Sequence, residues 1–233
     1  MQYPRRLDEL RRKRQTPGKD PTLLSRRLKL LVSSAVIAVA TLAVGAASAS
    51  AGVLVSSAPD CAAQSLSKPF TPWLDHANYT PLGGGNFESA AGWSTSGGAR
   101  IMAGNETFKV GGPDDASSMR IPAGGSVTSP TICVGLEHPT LRFFAKRHTG
   151  GLLNLSTMRV DVLFENNLGI VNQLPIGVVL GSPNWQPTLP MTVLANLLAL
   201  LPGEKTPVAF RFTPMLGGDW SIDDVYVDPY ARR

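Results

Sequence analysis

The chain has 233 residues, a formal net charge of +5, two cysteines, and 43% hydrophobic residues of which few are aromatic. The positive charge is confined to the start: residues 1–29 carry ten basic and three acidic side chains, whereas the remainder carries 12 basic and 14 acidic ones. That split removes the case for nucleic acid as a partner of the whole chain. Neither cysteine has a second ligand at a C-x-x-C spacing, which argues against a cysteine metal site.

Residues 1–29 mix Arg, Lys, Gln, Pro and Gly with few apolar side chains, so they lack the surface to fold and read as a disordered basic cytoplasmic tail. Residues 30–55 follow without a single charge. As a helix this stretch would reach ~39 Å at about 1.5 Å per residue, and a bilayer core needs only about 20 such residues. A basic flank stays in the cytoplasm, so everything after Val55 is expected outside. Two forms of that expectation stay open: an uncleaved transmembrane anchor through residues 30–55, or a signal-peptide helix removed near Ala49 to Ala51, where the small residues suit a signal peptidase. Ser25-Arg26-Arg27-Leu28-Lys29-Leu30-Leu31 loosely resembles a twin-arginine export signal, with Lys29 at a place where that signal prefers an aromatic.

Residues 60–233 are the right length for one domain and hold both cysteines, Cys61 and Cys133. In an oxidising compartment the simplest outcome is one disulfide between them, and two buried thiols are the alternative. Residues 56–82 read as a linker and lead-in segment. Gly83-Gly84-Gly85 then breaks the chain before a short strand candidate at Asn86-Phe87-Glu88-Ser89.

Beyond Trp93 the period becomes two. Leu141-Arg142-Phe143-Phe144-Ala145 is an expected strand, Met158 to Phe164 alternates with Met158, Val160, Val162 and Phe164 on one face, and Val208 to Phe212 repeats the pattern. Ile222 to Val227 supplies a last strand. Gly, Pro, Asn and Asp clusters divide these pieces, which predicts an all-β, two-sheet antiparallel sandwich over residues 83–233. One short helix is expected at residues 194–201, with a strand as the alternative.

Phe87-Glu88 followed by Gly92-Trp93, Thr140-Leu141-Arg142-Phe143-Phe144-Ala145-Lys146, and Asp219-Trp220-Ser221-Ile222-Asp223-Asp224-Val225 together resemble the galactose-binding-like jelly rolls, including carbohydrate-binding modules of secreted glycosidases. The chain is also similar to uncharacterised exported proteins of high-GC Gram-positive bacteria through Leu174-Pro-Ile-Gly177, Trp185-Gln-Pro-Thr188 and Ala209-Phe-Arg-Phe-Thr-Pro214. The first likeness implies a jelly-roll fold and, in several such modules, a structural Ca²⁺ between the first and last strands. Carried across, it places the metal on Glu88 with Asp223 or Asp224, where paired acids would relieve their repulsion by sharing a hard cation. The bland counterpart has Glu88 solvated or paired with an arginine and Asp223-Asp224 at a bulge in the last strand.

Sugar binding asks for flat aromatic faces beside polar side chains. Trp73 and Trp185, flanked by Pro, Asn and Gln, are the candidates for exposure, while Trp93 and Trp220 sit in fold motifs and read as core. Arg142, Arg159, Asp161 and Arg211 occupy outward strand positions that would line a polar groove, or simply form the solvated side of a half-buried sheet. Catalysis finds no pattern: His76, His138 and His148 lack metalloprotease spacing, and no nucleophile elbow is present. The expected function is therefore an exported, non-catalytic domain recognising cell-wall or environmental glycan. The alternative is a structural or protein-interaction component of the envelope; a glycoside hydrolase, which needs two facing carboxylates, ranks third.

Overall fold

The computed structural model describes residues 64–135, 139–165, 170–193 and 206–229. The expected anchor at 30–55, the cleavage region, the short helix at 194–201, Cys61 and His138 all lie outside the described residues. Among the described residues no helix is long and apolar enough to cross a membrane.

Among the described residues thirteen strands run in chain order: β1 (Thr80–Pro81), β2 (Ser94–Ser96), β3 (Arg100–Ala103), β4 (Ser117–Ile121), β5 (Ser126–Thr128), β6 (Ile132–Val134), β7 (Thr140–Arg147), β8 (Thr157–Glu165), β9 (Val171–Leu180), β10 (Gln186–Pro187), β11 (Met191–Thr192), β12 (Thr206–Met215) and β13 (Trp220–Asp228). They form two antiparallel sheets. The first is ordered β10-β7-β13-β4-β3, with β1 on β13 and β11 on β7; the second is ordered β2-β5-β12-β8-β9, with β6 on β12. This is the two-sheet sandwich the period-two pattern predicts.

The sheets share one core because alternate side chains turn inward. From β8 these are Met158, Val160, Val162 and Phe164; from β12, Val208, Phe210 and Phe212; from β7, Leu141, Phe143 and Ala145; from β13, Trp220, Ile222, Val225 and Val227. Trp93 and Trp220 are core residues, as expected, and the Trp220 indole nitrogen donates to Ser156 Oγ at 2.8 Å. Burying each large apolar side chain stabilises the fold by roughly 1.5–3 kcal/mol.

Two local expectations change. Residues 86–89 form no strand: Phe87 takes a left-handed φ of 54° in a run of turns and inserts its ring fully into the core. Gly85 lets this turn press against β13, since a Cβ there would meet the Val225 carbonyl oxygen at 2.9 Å. Of residues 64–82, read as linker and lead-in, 64–79 lie on the outside of the first sheet as a third layer, Thr80–Pro81 join that sheet as β1, and Leu82 enters the core between the sheets. Phe70, Tyr79 and Leu82 are buried, and Thr80 pairs with Val227. Cys133 is buried in β6.

Candidate functional site

Phe144 of β7 and Tyr226 of β13 alternate with core residues and so point away from the core. They are covered, not solvated. Phe70, Tyr79 and Trp185 close over them as a second aromatic cluster, with Trp73 packed against its margin. Phe70 stacks on Phe144 at 5.8 Å and meets Tyr226 edge-on at 5.7 Å. The Arg142 guanidinium lies 4.2 Å from the centre of the Phe70 ring, pairs with Asp75 Oδ2 at 2.6 Å, and donates from Nε to the Thr188 carbonyl at 2.8 Å. Burial works to raise the Asp75 carboxyl, but donors from Tyr79, Ala77 and Arg142 outweigh it and leave the group below its usual 3.8. The same burial pushes the Tyr79 hydroxyl upward.

Two expected ligand-contacting residues are therefore structural. Trp185 is 7% exposed and Arg142 4%; both are sealed by the layer that precedes β1 in the chain. Trp73 behaves differently. Its half-buried indole stands edge-on to Phe144 at 5.4 Å and to Phe108 at 4.9 Å with an interplanar angle of 90°. Phe108 itself is 47% exposed. These two rings form an open aromatic shelf on the outer face of the first sheet, held from beneath by Phe144. Sequence reasoning missed Phe108, which lies in a loop between β3 and β4 with no strand pattern to single it out.

Arg159, Asp161 and Arg211 sit together on the outer face of the second sheet, away from the shelf. Arg159 Nε pairs with Asp161 Oδ2 at 3.0 Å, and Arg211 Nε donates to Thr128 Oγ1 at 3.1 Å. Asp161 is buried at 1% exposure, so it braces Arg159 and does not line a groove. Among the described residues no ring contact of a tryptophan or tyrosine involves these three. A separate cleft of about 570 Å³ opens between β9 and the β10–β11 segment; its walls include Ile176, Val179 and Met191 over a floor of Ala145 and Trp220.

The acidic residues gather at the bulge of β13, where the pairing with β7 shifts register between Asp223 and Tyr226 and Asp224 takes a φ of 47°. Asp223 accepts the Glu106 amide on Oδ2 at 2.8 Å and the Asp224 amide on Oδ1 at 2.9 Å. Glu106, also buried, accepts the amides of Phe108 and Val110. Burial first, then neighbouring acids, push Asp223 up to about 9 and Asp224 up to about 7.

Glu88 does not join this group in the expected way: its Oε1 accepts the amides of Ala116 and Ser117, both at 2.8 Å, and holds the start of β4. The pair that does converge is Asp115 and Asp224. A Cβ built on Gly111 would collide with Asp224 Oδ1 and Asp115 Oδ2, so these oxygens approach one point from different segments. Asp115 Oδ2 is buried without a hydrogen-bond partner, and burial raises its carboxyl above the usual value. The donor chemistry there suits a hard oxygen-seeking cation, with two carboxylates meeting and not three; among the described residues no group of three His, Cys, Asp or Glu is arranged for a metal ion.

No protein-family model matches the chain, and no curated protein sequence matches it. Several solved structures are similar in chain trace. The CBM22-1 and GH10 modules of Clostridium thermocellum endo-1,4-β-D-xylanase 10B, complexed with xylohexaose, match with a TM-score of 0.43 and 16% identity over 66% of this chain and 28% of that one. The tandem CBM22 domains of a Paenibacillus barcinonensis xylanase match with a TM-score of 0.44 and 10% identity, covering 75% and 48%. A CBM61 domain in complex with β-1,4-galactotriose gives 0.39 and 13% identity, covering 63% and 95%. These likenesses concern the arrangement of strands, and no residue role is carried across from them.

Proposed function

We propose that this domain is a non-catalytic glycan-binding module displayed outside the cell, and that it meets its ligand on the outer face of the first sheet around Trp73 and Phe108. The observation that carries the reading is the Trp73–Phe108 shelf: two flat rings, partly wet and fixed edge to face at 4.9 Å. Aromatic rings held in one geometry offer large contact area at low entropic cost. The apolar face of a pyranose ring is a natural partner for such a surface. The test is retention by a panel of neutral and acidic polysaccharides, with Trp73→Ala and Phe108→Ala as the paired variants.

Export and tethering belong to the same proposal. The uncharged run at 30–55 is long enough to cross a bilayer, and a Cys61–Cys133 disulfide would fit an oxidising exterior. In support, no cysteine among the described residues is free. Protease accessibility of the domain on intact cells tests the export.

A structural Ca²⁺ is proposed at Asp115 and Asp224, in place of the Glu88-based set. It is supported by the unpartnered, buried Asp115 Oδ2 facing Asp224 Oδ1 across the space beside Gly111. When bound, the ion would neutralise acids that burial otherwise penalises. Asp115 and Asp224 would hold it, and Asp223 and Glu106 would keep the surrounding backbone in place through the amide N–H groups their carboxylates accept.

A second reading, docking of an envelope protein, is favoured by exposed leucines at one end of the sandwich. Leu152, Leu153 and Leu155 are 65%, 80% and 58% exposed, and the Leu152 amide bonds the carbonyl of Leu216, itself 49% exposed. Substituting Leu153 and Leu216 by Ser while measuring glycan retention separates the two surfaces.

A further inference from the structure

The outer face of the first sheet carries a second feature beside the aromatic shelf. Arg100 of β3 stands directly opposite Arg120 of β4, Arg120 opposite Ser221 of β13, and Ser221 opposite Lys146 of β7. All four alternate with core residues: Ile101, Met119, Ile121, Trp220, Ile222 and Ala145 turn inward. The result is one register row across four strands with three cations on one face. Arg100 is exposed, and Arg120 and Lys146 are half-buried. His148, just beyond β7, places Nε2 2.8 Å from Ser221 Oγ at the middle of the row.

Like charges directly opposite one another in a sheet are unfavourable, so the Arg100–Arg120 facing pair costs stability. One acid offsets it: Asp219 Oδ2 pairs with Arg120 at 2.9 Å, while its Oδ1 accepts the Ala123 amide. The row keeps an excess of positive charge on a chain whose residues after the tail are slightly acidic. Burial, and then Arg120 and Lys146, hold the His148 imidazole below its usual value. His148 is thus a hydrogen-bonding group set among cations that disfavour its own protonation.

Adjacent strands lie about 4.8 Å apart, so three steps from Arg100 to Lys146 span roughly 14 Å. That is wide for one small anion and suits an extended chain with repeating negative charge. The row also continues into the shelf. Lys146 and Phe144 are successive outward residues of β7, about 7 Å apart, and Phe144 supports both Trp73 and Phe108.

We infer that the Arg100–Arg120–Lys146 row binds an oxyanion-bearing polysaccharide, one with carboxylate or phosphate groups on successive sugar units, laid across the strands and running onto the Trp73–Phe108 shelf. This rests on the glycan reading above and narrows it to acidic glycans. The guanidinium groups would take the oxyanions in charge-assisted hydrogen bonds, and the rings would carry the sugar faces.

The experiment measures binding of the full chain to four polymers: polygalacturonate for carboxylate, phosphomannan for phosphate, uncharged xylan, and duplex DNA. Each is tested against wild type, Arg100→Gln/Lys146→Gln, and Trp73→Ala. Arg120 is left intact because it pairs with Asp219. The inference expects one acidic glycan to bind more tightly than xylan, with affinity falling as salt screens the row. The double variant should lose about tenfold or more on that polymer with an unchanged melting temperature. Preference for polygalacturonate or for phosphomannan identifies the oxyanion. Equal binding of the acidic glycan by wild type and double variant overturns the inference while leaving the glycan reading intact, as does binding to xylan alone. DNA bound as tightly as the glycans overturns it in favour of a general polyanion surface. Binding to none of the polymers sinks the row and the glycan reading together.

Discussion

The indole of Trp73 meets the ring of Phe108 at 4.9 Å and at right angles, and both rest on Phe144. Trp73 comes from the short 3-10 turn Thr71–Trp73 ahead of the sandwich, Phe108 from the loop after β3, and Phe144 from the middle of β7. The shelf therefore exists only once the leading segment has folded onto the first sheet.

This makes Trp73 and Trp185 separable. Trp73→Ala should weaken glycan retention tenfold or more while costing about 1–2 kcal/mol, since the indole is only half-buried. Trp185→Ala should cost about 3–5 kcal/mol, the usual range for a buried aromatic, and affect retention only through unfolding. Urea titration beside affinity electrophoresis distinguishes the two.

Arg142 holds the leading segment down. Its side chain is 5% exposed and that of Asp75 17%, so removing one partner leaves a poorly solvated charge. Arg142→Met alone should cost about 3 kcal/mol or more. Arg142→Met with Asp75→Asn should recover part of that loss. Equal destabilisation by the single and double variants in chemical denaturation would contradict the pairing.

Acid should weaken the fold through Asp219 in a defined direction. The Ala123 amide first, then Arg120, keep its carboxyl below the usual 3.8 in the native state. The folded protein thus holds the charge to lower pH than the unfolded chain. The stabilisation is complete above the unfolded value, fades as pH falls below it, and is gone below the folded value. Asp219→Asn should flatten this part of the stability profile, measured by urea midpoints between pH 6 and pH 3.

Calcium should raise the melting temperature and chelation should reverse the rise. Asp115→Asn and Asp224→Asn should each remove the response. Glu88→Gln should leave it in place, because Glu88 is engaged with the Ala116 and Ser117 amides. A response that follows Glu88 instead would restore the set expected from the sequence.

Reduction should destabilise the domain. If Cys61 and Cys133 are joined, the loop they close is long, and Cys133→Ser should cost about 4 kcal/mol on the chain-entropy account. Mass spectrometry after alkylation, with and without prior reduction, reads the bond directly.

The inward faces were legible in the sequence because period two is written into them: Met158, Val160, Val162 and Phe164 all reach the core, as do Val208, Phe210 and Phe212. The outward faces were not. Alternation says that Arg142 and Phe144 point away from the core, but not that residues 64–79 return to cover them; the Arg142–Asp75 bond joins positions 67 apart. The sequence motif at Asp223-Asp224 did mark a bulge, yet its partner Asp115 lies in a separate turn, and only the fold brings the two together. Phe87 falls in the expected strand at 86–89, yet the preceding glycines let the chain turn and drop its ring inward.

The most direct measurement is titration of wild type and Trp73→Ala against the polysaccharide panel by isothermal calorimetry, with melting temperatures checked for both. Saturable binding by wild type, lost by at least tenfold in a variant that stays folded, is the expected result. Undiminished binding in Trp73→Ala, or no heat from wild type with any glycan, would contradict recognition on this face.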